Sequence, residues 1–297
     1  MMIKINLGNQ LGLNLKELPI NTGSILGMFL SSLLLMISSS CTQKTTDKTD
    51  SEPINIVEDT VSNLITIPYQ VNQPDETIEL PLYLDEISGL GFYSDKEIAC
   101  VQDEEGIVVF YDVQQKEISD KIPFGEDGDY EGIEAVNGII YVLRNDGTLF
   151  RIENIGTTQQ RTKKLKTKLD ITYDTEGLTY NPTTEQLLIA CKGKGGEGTK
   201  YQNKKSVYTY DLKTEKFNKI PKFTIPREEL YFFIQQHDLV NLAFYPNEPM
   251  PFQPSAIAIH PPTGYYYILS AENRMLLVLN EQEEIIYLTQ FFLVVYY

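Results

Sequence analysis

Ser88-Gly89-Leu90, Glu131-Gly132-Ile133 and Glu176-Gly177-Leu178 are three copies of one short motif, and Ser255-Ala256-Ile257 is a weaker fourth copy. The first three copies begin 43 and 45 residues apart, and the fourth begins 79 residues after the third. A period in the forties is the length of one four-stranded blade of a β-propeller. The repeat therefore predicts an all-β fold that is assembled from blades.

Each motif is followed by two apolar runs that turn residues separate. In the second copy, the run 138–143 leads through Asn145-Asp146-Gly147 into the run 148–152. Asn, Asp and Gly tolerate the positive φ of tight hairpin turns. The corresponding pairs of runs in the other copies are 97–101 with 107–111, 186–191 with 206–210, and 265–269 with 275–279. These runs predict antiparallel strands, and the segment 226–236 is predicted to contain the one short helix.

The charge balance argues against nucleic acid as a partner. The chain has 297 residues, 25 basic and 41 acidic side chains, and a formal net charge of −16. Binding to phosphates needs a basic surface, and we identify no Lys/Arg patch in the sequence that offsets the acidity. The length and the 42% hydrophobic content allow one large core without a second domain.

The N-terminal sequence predicts an export signal. The apolar run 25–37 is short for a membrane span and suits a signal-peptide core. Ser38-Ser39-Ser40-Cys41 resembles a lipobox, the bacterial motif whose cysteine is lipidated. We therefore predict a lipoprotein-type signal peptide at 1–40, lipidation of Cys41, a polar flexible tether at 41–62 and a propeller domain at 63–297. An uncleaved anchor or a soluble secreted form is the alternative.

The two remaining cysteines, Cys100 and Cys191, end predicted strands in different repeats. We expect buried free thiols, because their spacing gives no sign of the close approach that a disulfide needs. The chain has only two histidines, His237 and His260. A catalytic Cys/His pair and a His-rich zinc site are therefore not expected.

The motifs carry a family resemblance. The segments 84–90, 129–134, 174–180 and 254–261 are similar to those of the SdiA-regulated family of bacterial β-propellers, and the resemblance covers about residues 63–290. It implies a phytase-like propeller, six-bladed in the family, that is exported or attached to the cell envelope, and it implies no established reaction. A further copy would begin near residue 300, so we expect about four to five blades and a truncated last part. The alternative is that the apolar run 291–297 is a buried closing strand.

The repeats predict where chemistry would lie. Equivalent residues of successive blades surround one axis, so Glu131 and Glu176 are expected to converge there, with Glu86 two residues upstream of Ser88. Converging carboxylates need a positive partner, and Ca²⁺, which prefers oxygen ligands and is used by the related phytase-like propellers, is the candidate. Alternatively, each Glu accepts hydrogen bonds from amides of the adjacent blade and holds the blades in register.

A second ring of charged side chains around the axis is predicted in the turns after the first apolar run of each repeat, at Asp103, Arg144 and Lys192. Asp103 would join Glu131 and Glu176 on the metal, while Arg144 and Lys192 would bind an anionic group of a ligand. In the alternative, these cations pair with the same carboxylates as salt bridges between blades.

The function expected from these residues is a lipid-anchored binding or scaffold module in the bacterial cell envelope, with an acidic axial site for an unknown small ligand or envelope protein. The rival is a calcium-dependent phosphoesterase in which the carboxylates hold the metal and the basic residues neutralise the substrate. A partner-binding surface on the outer blade edges is the third possibility.

Overall fold

The computed structural model describes residues 2–5, 66–242 and 249–291. The predicted signal-peptide core at 25–37, Cys41 and the tether at 41–62 lie outside the described residues. Within the described part of the chain, no helix is both long and apolar enough to cross a bilayer.

Four antiparallel sheets of one repeated design make up the fold. The chain pairs β1 (Met2–Ile5) with β2 (Glu76–Glu79) before the first blade. The first blade contains β3 (Ile87–Phe92), β4 (Glu97–Gln102), β5 (Ile107–Asp112) and β6 (Glu117–Pro123). The second blade contains β7 (Tyr130–Val136), β8 (Ile139–Arg144), β9 (Leu149–Glu153) and β10 (Arg161–Leu165).

The third blade contains β11 (Thr175–Asn181), β12 (Gln186–Cys191), β13 (Lys204–Asp211), β14 (Lys216–Phe217) and β15 (Phe223–Pro226). Both β14 and β15 pair with β13, so together they take the place of the outer strand in the third blade. The fourth blade contains β16 (Ala256–Ile259), β17 (Tyr266–Ser270), β18 (Met275–Leu279) and β19 (Ile285–Gln290). Helix α1 (Arg227–Gln236) lies between the third and fourth blades, and 3₁₀ turns occur at Leu82–Leu84, Thr199–Tyr201 and Val240–Leu242.

The structure is thus a β-propeller with four blades in the described residues, as the repeat predicts. The eight strands that were predicted from the apolar runs and the one short helix are confirmed. The fourth strand of each blade was not predicted. In the first three blades these outer strands are short or mostly exposed and lack the apolar pattern of the inner ones, whereas β19 is apolar and partly buried.

Alternate side chains of each blade pack on the two neighbouring blades. On the first blade, Ala99 and Val101 lie in the core shared with the second blade, whereas Cys100 and Val109 lie on the opposite face. This follows from the two-residue period of a strand, which sends successive side chains to opposite faces. Because both faces are covered, the central strands are mostly apolar, and β18 is buried along its whole length.

The segment 67–84 covers the two end faces of this stack. Ile67, Tyr69 and Val71 pack on the outer face of the fourth blade, and the buried residues Ile78 and Leu80 pack on the outer face of the first. One segment therefore contacts both the first and the last blade and shields apolar faces that no neighbouring blade covers in the described residues.

Cys100 and Cys191 are buried free thiols, as predicted. Burial raises the pKa of both thiols, so neither is a reactive thiolate near neutral pH.

The glycine of each motif lies where the innermost strand of one blade meets the innermost strand of the next. A Cβ atom at any of these positions would be too close to the backbone of the following blade. The distances from such a Cβ are 3.0 Å to the Glu131 carbonyl oxygen at Gly89, 3.0 Å to the Glu176 carbonyl oxygen at Gly132, and 2.9 Å to the Ile257 nitrogen at Gly177. The fourth copy has Ala256 at this position, and no further blade follows it among the described residues.

We expect Gly132→Ala to lower the free energy of unfolding by about 1–3 kcal/mol, because the new methyl group would also lie 2.8 Å from the Leu178 Cβ atom. Urea unfolding measures this. Ala256→Gly is the matched control, and it should cost only about 0.5–1 kcal/mol through backbone entropy. Equal midpoints for wild type and Gly132→Ala would show that the blades do not approach each other closely at this glycine.

Candidate functional site

The residue before each of the three glycines is an extra residue in its strand. The pairing register shifts between Ile87 and Gly89, and equivalent shifts occur before Gly132 and Gly177. Ser88, Glu131 and Glu176 are therefore the bulged residues. A β-bulge redirects the side chain of its extra residue out of the regular alternation. The motif thus combines two functions, because the glycine lets the blades approach and the residue before it presents a side chain at the hub.

Glu176 is paired with Lys192 of the same blade. Lys192 Nζ lies 2.8 Å from Glu176 Oε1, and the Glu176 side chain is only 12% exposed. Burial raises the pKa of Glu176, although the hydrogen bond and the charge of Lys192 oppose this shift. Burial opposes the charge of Lys192, yet the hydrogen bond to Glu176 and the negative charges of Glu176, Asp174 and Glu131 together outweigh burial and raise the lysine's pKa. Glu176 and Lys192 thus form a partly buried ion pair.

Glu131 is the most strongly perturbed carboxyl group of this cluster. Burial, the nearby charge of Glu176 and a hydrogen bond with Asp129 raise the pKa of Glu131 to about 9, and Lys192 only partly offsets them. Glu131 is consequently protonated at neutral pH. Its carboxyl group can then donate a hydrogen bond, which an ionised carboxylate cannot do.

The structure brings Glu131, Glu176 and Lys192 together, and it adds Asp129 and Asp174, which influence the same groups electrostatically. We call these five residues the axial cluster. The side chain of Asn145 donates a hydrogen bond to Asp129, which orients that carboxylate. Asp129 and Asp174 precede the bulged residues by two positions, so the repeated Asp-x-Glu-Gly sequence is the signal that would have identified them.

Arg144 binds Asp146 rather than a carboxylate of the axial cluster. Its guanidinium makes two hydrogen bonds to Asp146 of the same turn, from Nε at 3.1 Å and from Nη2 at 2.6 Å. It also lies 5.7 Å from the centre of the Phe150 ring. The two basic residues of the predicted second ring thus each have an acidic partner within their own blade.

Asp103 and Glu86 are located at the first blade. The Asp103 carbonyl oxygen accepts a hydrogen bond from the Tyr130 amide at 3.0 Å, and this bond joins the first two blades. The Asp103 Oδ1 atom is buried and accepts no hydrogen bond within the described structure. Glu86 is exposed just before β3.

A different carboxylate holds two blades in register. Glu134, in the second blade, accepts a hydrogen bond from the Tyr180 amide of the third blade at 3.0 Å and one from the Ala135 amide at 3.2 Å. Burial raises its pKa to about 7, although these bonds and one with Thr179 counteract the shift. Glu131 and Glu176 were alternatively expected to accept hydrogen bonds from amides of the adjacent blade. Glu134 has this role instead; it lies in the segment 129–134 but was not predicted to join blades.

The cluster does not match a calcium site. Ca²⁺ takes six to eight oxygen ligands, whereas an ammonium group occupies one side of Glu176. No three acidic, histidine or cysteine side chains in the described residues are arranged to hold a metal ion. The predicted set Glu131, Glu176 and Asp103 therefore fits an ion poorly as these side chains stand. Instead, the cluster provides the protonated carboxyl group of Glu131 as a hydrogen-bond donor beside the Glu176–Lys192 ion pair.

Neither histidine is placed to act as a base here. His260 Nδ1 lies 2.8 Å from Thr263 Oγ1. The His260 ring packs against Tyr267 of the fourth blade and against Tyr69, which precedes the first blade. His237 follows α1 and packs against Phe233.

Comparison with known proteins identifies no family. No protein-family model matches the chain, and no curated protein matches it in sequence. Among solved structures, a streptogramin B lyase is similar with a TM-score of 0.42 and 9% identity, over 69% of this chain and 54% of that one. The virginiamycin B lyase of Staphylococcus aureus gives 0.40 and 13%, over 69% and 55%. The WD40 domain of Neurospora crassa Pan2 gives 0.40 and 12%, over 70% and 51%. The chain spans about half the length of these structures.

The raised pKa of Glu131 predicts how stability depends on pH. The folded state holds a proton on Glu131 up to about pH 9, whereas the unfolded chain releases it near pH 4.5, so stability falls as pH rises between these values. Glu131→Gln keeps an uncharged side chain at this position at every pH, so it should remove the part of the decline in stability that Glu131 causes. We expect the variant to gain on the order of 1–2 kcal/mol relative to wild type between pH 7 and pH 10.

Urea unfolding of both proteins across this pH range measures the difference. Changes at Glu134 affect both proteins alike and cancel in the comparison. A constant difference between the two proteins would show that Glu131 titrates normally.

Proposed function

We propose that this chain is an exported, lipid-anchored β-propeller of the SdiA-regulated type that acts as a binding module in the bacterial cell envelope. Its ligand contacts the axial cluster through a cationic group such as an ammonium or a guanidinium. The observation that carries this proposal is the state of Glu131, a partly buried carboxyl group whose pKa is raised to about 9 by burial, the charge of Glu176 and a hydrogen bond with Asp129.

The charges of the cluster support a cationic ligand. The cluster contains four acidic side chains and one basic side chain, Lys192, which is paired with Glu176, and the charge of Asp174 also acts on the nearby Lys205. A ligand cation beside Glu131 would favour its ionised form, because an opposite charge within about 4–6 Å lowers the pKa of a carboxyl group. Binding would then replace the proton by the ligand's charge, so that affinity depends on pH.

The envelope location rests on the N-terminal sequence. The apolar run 25–37 ends directly before Cys41, and a polar segment separates Cys41 from the first packed residue, Ile67. This order of signal, cysteine, tether and domain is that of a lipoprotein held at a membrane surface.

A phosphoesterase is the second candidate, and the structure gives it less support. Its mechanism would need Arg144 and Lys192 to face the substrate, but Asp146 and Glu176 already pair with them. The one observation in its favour is the buried Asp103 Oδ1 atom, an oxygen that has no donor in the described residues.

The cationic-ligand proposal predicts binding that releases a proton. We expect butylguanidinium to bind more tightly than the neutral butylurea, with an affinity that rises by up to about tenfold per pH unit between pH 6 and pH 9. Isothermal titration calorimetry in buffers of different ionisation enthalpy measures the affinity and the protons released. Glu131→Gln should remove the preference for the cation, whereas Glu86→Gln, at an exposed carboxylate, should not. Equal affinities for the two probes would contradict the proposal.

Calcium provides a separate test. Because the Lys192 ammonium group occupies one side of Glu176 and Glu131 carries a proton, the cluster presents too few free carboxylate oxygens for Ca²⁺, and we expect the melting temperature to be the same with Ca²⁺ and with a chelator. A ligand that binds only the folded state would raise it by mass action. A clear rise with Ca²⁺ that disappears in Glu176→Gln would favour the metal site, and turnover of phosphoesters by the wild type would then favour the hydrolase.

A further inference from the structure

The outer edges of the second and third blades carry a concentration of basic side chains. Its members are exposed and belong to two short segments, 161–169 and 212–220, and they are Arg161, Lys163, Lys164, Lys166, Lys168, Lys213, Lys216 and Lys219. We call these eight residues the basic face. The only acidic residue in the two segments is Glu215, so their net charge is +7 and the rest of the chain carries −23. This patch was not predicted from the sequence, because its two halves are separated along the chain.

An ion-pair bridge shows that the two segments adjoin. Glu215, in the turn before β14, pairs with Arg151 of β9 at 2.8 Å and with Lys163 of β10 at 2.5 Å. It therefore links the outer edge of the third blade to that of the second. The basic residues around it form one surface that spans two blades.

Protection of sheet edges does not account for this concentration. Lysines on an outer strand discourage edge-to-edge pairing, and every blade has an outer strand that needs such protection. Yet β6 in the first blade carries Glu117, Asp120 and Lys121, and β19 in the fourth blade has no charged residue. The positive charge is thus confined to two neighbouring blades of an otherwise acidic molecule.

We propose that the basic face docks the propeller on an anionic lipid surface. The inference rests on the membrane attachment in the proposed function, which keeps the domain next to a bilayer. A tether of 22 residues spans on the order of 25 Å if it behaves as a flexible coil, so the domain can reach the headgroups. Basic clusters are attracted to anionic lipids within about one Debye length. Ile220, which is 67% exposed beside Lys219, adds an apolar contact of the kind that interfacial proteins use.

Docking by this face sets the orientation of the domain. The basic face lies on the outer strands, at the perimeter of the propeller, so the propeller axis would run parallel to the membrane. The remaining charge of −23 would be repelled from the same surface. Both ends of the axis, including the axial cluster, would stay open to solvent.

The test compares lysine reactivity on two bilayers. The full-length chain is reconstituted into vesicles of phosphatidylcholine alone and of phosphatidylcholine with phosphatidylglycerol, so that the N-terminal anchor is the same in both. Lysines are acetylated with a water-soluble N-hydroxysuccinimide ester and quantified by mass spectrometry. We expect acetylation of Lys166, Lys168 and Lys219 to be at least about threefold slower on the anionic vesicles, and this difference should disappear at about 1 M salt. The exposed residues Lys96 and Lys116 of the first blade are internal controls.

A charge-reversal variant gives a second readout. Lys166→Glu, Lys168→Glu and Lys219→Glu change exposed side chains that make no ion pair in the described structure, so folding should be retained. We expect the triple variant to lose the protection of Lys164 and Lys213, whereas Lys96→Glu should leave it intact. Equal acetylation on both vesicles would overturn the inference, as would protection that appears without vesicles and signals association of chains. A chain that does not float with either vesicle at high salt would contradict membrane attachment itself, whereas flotation without protection would contradict docking alone.

Discussion

The close approach of the innermost strands is the constraint on which this fold depends. At Gly89, Gly132 and Gly177 the backbone of the following blade comes within 3.0 Å of the position that a Cβ atom would take. Strands that meet this closely leave no room for side chains on the hub side at these positions. The blades can therefore bury their apolar faces against each other only if each motif keeps its glycine, and Ala256 occurs where no next blade follows in the described residues.

The same constraint creates the electrostatic problem at the hub. Because a bulged residue precedes each glycine, closing the strands together also brings Glu131 and Glu176 into one partly buried region. Two carboxylates there cannot both be ionised without compensation. The protein stabilises Glu176 with Lys192 and leaves a proton on Glu131. The unusual chemistry of the axial cluster is thus a consequence of the packing that builds the propeller.

Most of the fold could be predicted from the sequence, because β4, β5, β8, β9, β12, β13, β17 and β18 are apolar runs at a fixed offset from a repeated motif. The convergence of Glu131, Glu176 and Lys192 follows from the same repeat. Partners within a turn could not be predicted, and Arg144 was assigned to the site although Asp146, two residues away, binds it. Glu134 was not predicted to join two blades, because only the structure shows that the Tyr180 amide donates a hydrogen bond to it. Calcium was expected from the converging carboxylates and from the resemblance to phytase-like propellers, neither of which reveals where an ammonium group lies.

The charge distribution connects the two proposals in physical terms. The net charge of −16 suggests a uniformly acidic surface, yet a short strand edge on two blades is positive and the hub is negative. These regions lie at the perimeter and on the axis of the propeller, so one surface can contact an anionic bilayer while the other stays exposed to solvent. An anionic surface also concentrates cations within about a Debye length of itself. The innermost and outer strands of a four-stranded blade are about 15 Å apart, so the axial cluster of a domain docked by its edge would lie beyond this layer and would sample ligands from the bulk solution.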